Sequence, residues 1–130
     1  PKIYFVDNGI RNQLLNAFSE DIPLRTDKGA LMENWVFSEL YKRLPLTAAI
    51  HFWRSKAGGE VDFVVEQAGR VAALEVKAAA LERPQISRSM RSFVDAYHPE
   101  RFVVMNRSLE TQLALNNLSI DFYTPDSLPF

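Results

Sequence analysis

The architecture of this chain follows from two neighbouring segments, Gly59-Glu60-Val61-Asp62-Phe63-Val64-Val65 and Ala73-Leu74-Glu75-Val76-Lys77. Both alternate apolar and polar residues, which is the pattern of β-strands that bury one face. Charged side chains in the middle of such apolar strands need a partner, because burying an unpaired charge is costly. An aspartate, with a glutamate and a lysine two positions apart on the next strand, indicates a candidate site for a divalent cation beside a phosphate.

The turn between the two strands determines which polar side chains face each other. A turn of two residues and a turn of four give the same register, with Asp62 opposite Glu75 and Glu60 opposite Lys77. The apolar residues match in this register, with Val61, Phe63 and Val65 against Val76, Leu74 and Ala72. Directly opposed β-carbons lie about 5 Å apart. Two carboxylates at that spacing repel each other and raise a pKa unless a cation lies between them.

A helix predicted before these strands adds a third acid. Its apolar face is shared by Glu33, Val36, Phe37, Leu40 and Leu44. An acid on a packing face needs a partner, and Lys77 or a shared metal could be that partner. Oxygen ligands suit Mg²⁺ or Mn²⁺, and Lys77 would orient or deprotonate the nucleophile and stabilise developing negative charge. The alternative interpretation is a surface ladder of ion pairs with a structural role.

Composition limits the classes of protein that fit. The chain has 130 residues, 47% of them hydrophobic and 24% charged, which is typical of one globular domain. It contains no cysteine, which excludes disulfides and thiolate-bound zinc or iron–sulfur sites. No apolar run approaches ~20 residues and no signal-peptide pattern opens the chain, so we expect no membrane span and a cytoplasmic location. The first residue is Pro1 rather than methionine, and we expect a piece of a longer protein.

Periodicity and turn residues predict a mixed sheet with flanking helices, an α/β fold that is α+β by order of elements. A cap at Thr26 or Asp27 begins a long helix that runs to about Leu44. The remaining helices are predicted over residues 10–18, 85–97 and 109–115, the strands over 2–7, 49–54, 60–66, 71–77, 101–105 and 120–124, and a loop over 19–26. The core order is αβββαβ, in which three strands form an antiparallel meander and a helical crossover makes the next strand parallel.

These residues resemble the PD-(D/E)XK, or restriction-endonuclease-like, nuclease superfamily. Asp62 matches the motif aspartate, Glu75-Val76-Lys77 matches the E-x-K element, and Glu33 matches the acid often supplied by the preceding helix. Val61 stands where the named motif has proline. More closely, the chain is similar to the C-terminal domain of unknown function attached to bacterial and archaeal AAA-type ATPases. The residues that carry this similarity are Lys2-Ile-Tyr-Phe-Val-Asp7, Gly9, Gly29, Glu33, Phe52-Trp53-Arg54-Ser55, Gly59-Glu60-Val61-Asp62-Phe63 and Glu75-Val76-Lys77.

The resemblance implies a domain plan and an activity. Residues 1–26 would be a strand–helix extension that leads from a preceding ATPase region, and residues 27–130 would be the nuclease-like domain. Asp62, Glu75 and Glu33 would bind Mg²⁺ or Mn²⁺ and Lys77 would serve the nucleophile in hydrolysis of DNA phosphodiester bonds. The alternative is a catalytically inactive fold that binds nucleic acid or protein for an AAA-type ATPase. No phosphate-binding loop of the Gly-x-x-x-x-Gly-Lys-Ser/Thr type occurs, so ATP binding is not assigned to this chain.

Basic residues suggest where DNA could bind. Residues 83–107 contain five arginines and only two acids, although the net charge of the chain is −1. The candidate nucleic-acid contacts are Arg54, Lys56, Arg88 and Arg91. The alternative for the two helical arginines is a solvated face. The two histidines, His51 and His98, lack metal-ligand spacing and are interpreted as structural. A homo-oligomer is compatible with the sequence.

Overall fold

A computed structural model describes residues 2–18 and 21–130. The chain divides into two compact units, one of residues 2–44 with Phe130 and one of residues 45–129. The first unit contains α1 (Asn8–Leu14), a 3₁₀ turn (Ile22–Leu24) and α2 (Lys28–Arg43). The second contains β1 (Ala49–Arg54), β2 (Glu60–Gln67), β3 (Arg70–Val76), α3 (Arg88–Tyr97), β4 (Arg101–Met105), β5 (Thr111–Leu115), β6 (Leu118–Tyr123) and a 3₁₀ turn (Pro125–Ser127). The domain boundary predicted after residue 26 stays a prediction.

The start of α2 depends on a cluster of charges in the first unit. Asp27 occupies the N-cap position, but its carboxylate does not cap the helix. It accepts hydrogen bonds from Arg25 Nε at 2.8 Å and from Arg11 Nη1 at 2.9 Å. Both guanidinium groups are buried, and the hydrogen bond from Arg25 is the largest cause of a pKa well below the usual range for Asp27. The cluster therefore connects α1, the segment before α2 and α2 itself.

The strand predicted over residues 2–7 is wrong. These residues form no strand, and the side chain of Asn34 pairs with their backbone instead. Asn34 on α2 accepts a hydrogen bond from the Phe5 amide at 2.7 Å and donates one to the Phe5 carbonyl at 3.0 Å. The following helix begins at Asn8, before the predicted start, because the Asp7 carboxylate accepts from the amides of Gly9 and Ile10. Residues 19 and 20 of the predicted loop lie outside the described residues.

The second unit is a six-stranded mixed sheet, in which five strands were predicted and the sixth, β5, was predicted as a helix. Its strand order is β1-β2-β3-β4-β6-β5. The first three strands form the antiparallel meander, and β4 lies parallel to β3 after the α3 crossover. The crossover helix begins at Arg88 rather than near residue 85, because the Ser87 hydroxyl accepts from the Met90 amide and caps it. The prediction of a mixed α/β fold is confirmed.

The helix predicted over residues 109–115 is wrong, because this segment is the strand β5. It forms a hairpin with β6, and β6 lies parallel to β4. Asn116 in the connecting turn adopts a left-handed conformation, at φ 55°, which asparagine tolerates. The five residues Thr111–Leu115 are too few to distinguish a helical period from a strand period. Their pairing with β6 is what makes this segment a strand.

The register of the β2–β3 hairpin agrees with the prediction. Gln67 pairs with Arg70 and Phe63 pairs with Leu74, so the turn consists of Ala68 and Gly69. Both turn residues have positive φ, which suits the twist of a two-residue hairpin turn. The pairing of β2 with β3 ends at Phe63 and Leu74, so the predicted pairing of Asp62 with Glu75 stays a prediction.

A β-bulge lies beside Asp62 and was not predicted. His51 pairs with Val64 whereas Trp53 pairs with Val61, so one residue of β1 faces two residues of β2, Asp62 and Phe63. Side chains along a strand alternate between the two faces of the sheet, and the extra residue interrupts this alternation in β2. Val61 was predicted to share a face with Phe63, and this assignment is wrong: Val61 belongs to the buried cluster that α3 forms with one face of the sheet.

This α3-side cluster is the main core of the second unit. Its fully or nearly fully buried members are Val61, Ala73, Met90, Phe93, Val94, Phe102, Val104, Leu115, Ile120 and Phe122. Trp53 packs edge-on against Phe93 with ring centroids 5.5 Å apart. None of the helices in the described part of the chain has both the length and the apolar character needed to cross a bilayer.

Replacing Asp27 tests the importance of the charge cluster. The substitution Asp27→Asn leaves Arg11 and Arg25 buried without their shared anion, and we expect the melting temperature at pH 7 to fall by about 5 °C or more. Because the pKa of Asp27 is lowered in the fold, its contribution is present above the unfolded pKa and is lost as pH falls through the folded pKa. The difference from wild type should therefore shrink below about pH 4, as measured by thermal denaturation.

The matched control is Glu100→Gln, which removes an exposed acid that pairs with the exposed Arg70. It should change the melting temperature little, since exposed ion pairs contribute little. Equal losses in the two variants would contradict the assigned role of Asp27.

Candidate carboxylate–lysine site

Asp62 is held in place by the backbone of the neighbouring strand. Its Oδ2 atom accepts a hydrogen bond from the Val76 amide at 2.8 Å. The bulge in β2 lies at the same position, and bulges commonly re-aim side chains next to active sites. The hydrogen bond fixes the carboxylate at the end of β3, between the two residues Glu75 and Lys77.

Glu75 is the most unusual side chain of the site. It is only 6% exposed, and its Oε1 atom accepts from Lys77 Nζ at 3.2 Å. Its Oε2 atom is buried and has no hydrogen-bond partner among the residues that the structure describes. Burial raises the pKa of Glu75, the ammonium group of Lys77 opposes that shift, and the charge of Asp62 adds to it. The site therefore holds a carboxylate whose negative charge is incompletely compensated.

Lys77 combines a fixed backbone with an accessible ammonium group. Its amide donates to the Met105 carbonyl at 2.8 Å, which extends the pairing of β3 with β4 by one residue. Its side chain is 43% exposed while Nζ contacts Glu75. A group that touches both the buried carboxylate and solvent is suitably placed to orient a water molecule.

Glu33, the third predicted acid, lies on α2 in the first unit. Its carboxylate accepts hydrogen bonds from Lys2 Nζ at 2.9 Å and from the Tyr4 hydroxyl. Sequence reasoning missed these partners, although Lys2 and Tyr4 are two apart and so share a side of an extended segment. The role of Glu33 as a metal ligand stays a prediction.

The donor set fits a magnesium or manganese ion that is bound through few protein ligands. Among residues 2–18 and 21–130, no three or more histidine, aspartate or glutamate side chains form a group that could hold a metal ion. Mg²⁺ often takes only one or two carboxylates and completes its shell with water and substrate phosphates. Asp62 and the unpartnered Oε2 atom of Glu75 meet that requirement.

The basic residues predicted to contact nucleic acid have different surroundings. Arg54 is neutralised, because its Nε atom donates to Glu60 Oε1 at 2.6 Å. Lys56, Arg88 and Arg91 are exposed and form no ion pair with any described residue. Sequence reasoning did not place these three residues near one another.

Gly59 shows where the turn that carries Lys56 lies. A Cβ atom at Gly59 would stand 3.1 Å from Ser55 Oγ and 3.1 Å from Ser89 Oγ. The turn between β1 and β2 therefore packs against the first turn of α3, where Arg88 is found. The absence of a side chain at residue 59 permits this close approach.

The fold and the site define an α+β domain with a paired-carboxylate and lysine cluster on its central hairpin. The family model described as "Domain of unknown function (DUF4143)" matches residues 28–123. The chain therefore belongs to this family of domains. The matched region begins at the first residue of α2 and ends at the last residue of β6.

A solved structure supports the fold. One chain of the structure titled "Refined half-complex from tetradecameric assembly of Thermococcus gammatolerans McrB AAA+ hexamers with bound McrC" is similar, with a TM-score of 0.59 and 18% identity. The match covers 74% of this chain and 27% of that chain. At this identity the similarity extends to the fold alone. No curated protein matches the chain.

Neutralising Glu75 tests whether its charge is uncompensated. In the absence of divalent ions, Glu75→Gln should stabilise the protein at pH 7.5 by about 1 kcal/mol or more, because it removes a buried unsatisfied charge. Since the pKa of Glu75 is raised in the fold, charging it costs stability as pH rises from about 4.5 through the folded pKa. The gain should therefore be smaller at pH 4.5, as measured by denaturant unfolding at the two pH values.

Glu82→Gln is the control for this experiment, because Glu82 is exposed in the segment after β3. It should leave stability unchanged at both pH values. A Glu75→Gln variant that is less stable than wild type at pH 7.5 would show that the carboxylate is already satisfied.

Proposed function

We propose that this chain is the nuclease-like domain of a protein that contains an AAA-type ATPase, and that it hydrolyses DNA phosphodiester bonds with Mg²⁺ or Mn²⁺. The observation that carries the proposal is the buried, unpartnered Oε2 atom of Glu75 beside Asp62 and Lys77. Leaving a charged oxygen buried and unsatisfied costs stability, and functional sites are where such a cost is commonly retained.

A divalent cation would supply positive charge beside the buried carboxylate of Glu75 and would polarise a phosphoryl oxygen. Asp62 and Glu75 would hold that ion. The Val76 amide keeps the Asp62 carboxylate oriented, because its hydrogen bond to Oδ2 fixes one oxygen. Lys77 would orient the attacking water, accept or donate a proton at Nζ, and stabilise the negative charge that develops on the phosphate.

The charges of α3 support contact with a phosphate backbone. Arg88 and Arg91 lie in its first half, whereas Asp95 lies near its end. The helix dipole favours acids at the start of a helix and bases at its end, by typically 0.3–1 kcal/mol for each charged side chain. The charges of α3 have the opposite distribution, which is therefore unfavourable. An anionic partner would offset that cost. The turn packed against Ser89 adds Lys56 to the same surface.

The proposed association with an ATPase rests on two observations: the resemblance of the sequence to domains that follow AAA-type ATPases, and the fold shared with one solved structure. The sequence is similar to domains that follow AAA-type ATPases, and the family match is to a domain of unknown function. The structure with the similar fold is titled as an assembly of AAA+ hexamers with a bound protein. We infer that the partner of this chain is an AAA-type ATPase module, which would supply ATP hydrolysis.

A second candidate function is favoured by the surroundings of Glu33. Its carboxylate is occupied by Lys2 and Tyr4, so the predicted third ligand already has partners. In this alternative the domain is catalytically inactive and binds nucleic acid or protein for the ATPase. The cluster of Asp62, Glu75 and Lys77 would then be structural.

Cleavage assays distinguish the two functions. The chain should cleave plasmid or branched DNA with Mn²⁺, and Asp62→Asn, Glu75→Gln and Lys77→Ala should each lower the rate about 100-fold or more. Arg70→Gln is the control, because Arg70 is an exposed arginine at the start of β3 that pairs with Glu100. Cleavage that survives Asp62→Asn and Lys77→Ala would contradict the assigned site.

Metal binding provides a separate measurement. Mn²⁺ at 100 times its dissociation constant should raise the free energy of unfolding by about 2.7 kcal/mol, and Glu75→Gln should abolish the increase. DNA binding without cleavage and without metal-induced stabilisation would favour the inactive domain.

Binding measured without divalent ions tests the basic surface independently of catalysis. Arg88→Gln combined with Arg91→Gln should weaken binding to a DNA duplex and lower the slope of log K against log salt by about 2. Arg70→Gln removes one positive charge outside this surface and should have a smaller effect. An effect of Arg70→Gln that is half as large as that of the double variant would show that binding depends only on net charge.

A further inference from the structure

The sheet of the second unit ends in two edge strands, β1 and β5, which differ in how they are protected. The unpaired amides and carbonyls of an edge strand can pair with another chain, and proteins usually prevent this with bulges or charged side chains. β1 has both kinds of protection: a bulge interrupts its pairing with β2, and His51 and Arg54 contact acids of that strand. Pairing with another chain is therefore disfavoured at this edge.

The edge strand β5 has none of these protections. Its five residues, Thr111–Leu115, include no charged residue, no proline and no glycine. Its pairing with β6 continues over all five residues without a bulge. Among residues 2–18 and 21–130, no strand pairs with its other side. The outer side of β5 therefore presents a regular row of backbone groups to an incoming strand.

The strand is held firmly while its outer backbone groups stay accessible. Leu115 belongs to the α3-side cluster and Leu113 packs against it. In a hairpin with a two-residue turn, the pair that flanks the turn, here Leu115 and Leu118, is the hydrogen-bonded kind. Because the two kinds of pair alternate, the amides and carbonyls of Gln112 and Ala114 are directed away from β6. Both of these residues are exposed.

Two cavities adjoin this strand and meet at the β5–β6 turn, whose residues line both. The smaller, of about 320 Å³, runs along β5 and has Gln112 and Ala114 in its lining. The larger, of about 460 Å³, reaches the end of α3 and has Asp95 and Glu100 in its lining. When an extended peptide adds a strand to a sheet edge, pockets for its alternate side chains provide specificity. The cavities are suitably placed for such side chains.

The charges of the larger cavity indicate which side chain would enter it. Asp95 is exposed and forms no ion pair with any described residue. It lies near the carboxyl end of α3, where the helix dipole favours cations. Glu100 is exposed and contacts Arg70 at 3.6 Å. In the described part of the chain no lysine or arginine lines either cavity. A basic side chain is therefore favoured, and β5 of a second copy would bring none.

We propose that the outer edge of β5 binds an extended segment of a partner protein that carries an arginine or a lysine, and that this segment adds a strand to the sheet. The backbone of the segment would pair with the amides and carbonyls of Gln112 and Ala114. Its basic side chain would enter the larger cavity beside Asp95. The proposal is independent of the proposed nuclease activity, because it uses no residue of the carboxylate–lysine site.

Binding of synthetic peptides to the complete 130-residue chain tests the proposal. The probe is a capped eight-residue peptide of alternating threonine and valine with an arginine second from each end, so that either strand direction presents an arginine. It should shift the amide NMR signals of Thr111–Leu115 and Asp95 and leave those of Ala49–Arg54 unchanged. Methylation of alternate peptide nitrogens should weaken binding about 10-fold or more, because it removes hydrogen-bond donors. Replacing both arginines with glutamates should weaken it about 5-fold or more.

Two substitutions in the chain separate backbone pairing from charge. Ala114→Pro removes one outward amide and should abolish peptide binding, while thermal denaturation shows that the fold is kept, since proline is tolerated on an edge strand whose N–H faces solvent. Asp95→Asn should reduce the preference for the arginine peptide over the glutamate peptide and leave the effect of methylation unchanged. This second variant keeps the test decisive if Ala114→Pro fails to fold. Asp126→Asn is the matched control, because Asp126 is an exposed acid outside both cavities, and it should leave the preference unchanged.

Three outcomes would overturn the proposal, whether or not the chain cleaves DNA. The first is an arginine peptide that leaves the β5 signals unchanged. The second is equal binding of the methylated and unmethylated peptides. The third is a wild-type mass of twice 14.8 kDa by light scattering that Ala114→Pro returns to 14.8 kDa, which would assign the edge to a second copy.

Discussion

The hydrogen bond from the Val76 amide to Asp62 is the constraint on which the site depends. It requires the β2–β3 register and the bulge in β2, since a shift of one residue would turn Asp62 away from the end of β3. The period of the strand places Glu75 beside Lys77, and the carboxylate of Glu75 is buried. One backbone donor therefore fixes the relation between two acids and a lysine.

Two carboxylates of the chain have opposite electrostatic surroundings. Asp27 receives hydrogen bonds from two buried guanidinium groups, and its pKa is lowered. Glu75 has one lysine and a buried oxygen with no hydrogen-bond partner among the described residues, and burial raises its pKa. The first arrangement stabilises a fold and the second reduces stability unless a cation is present. This contrast identifies Glu75, rather than the more heavily hydrogen-bonded Asp27, as the functional candidate.

The sequence predicts the central hairpin well because its apolar residues and turn specify one register. The predicted register is confirmed from Phe63 and Leu74 to Gln67 and Arg70, whereas the pairing of Asp62 with Glu75 stays a prediction. The face of Val61 could not be predicted, because a bulge adds one residue without a clear signal in the sequence. The strand expected near Phe5 failed for a different reason: Asn34, distant in sequence, satisfies its backbone. Contacts of Glu33 with Lys2 and Tyr4 likewise depend on tertiary structure.

The two-residue turn at Ala68 and Gly69 has a consequence for the order of folding. Asp62 and Val76 are 14 residues apart, and the segment between them is a single hairpin. Closing so short a loop costs little chain entropy and takes microseconds, whereas the β3–β4 and β4–β6 pairings require longer crossovers. The acids can thus meet before the parallel half of the sheet is complete. Until the rest of the sheet forms, solvent and free cations reach both carboxylates and screen their repulsion.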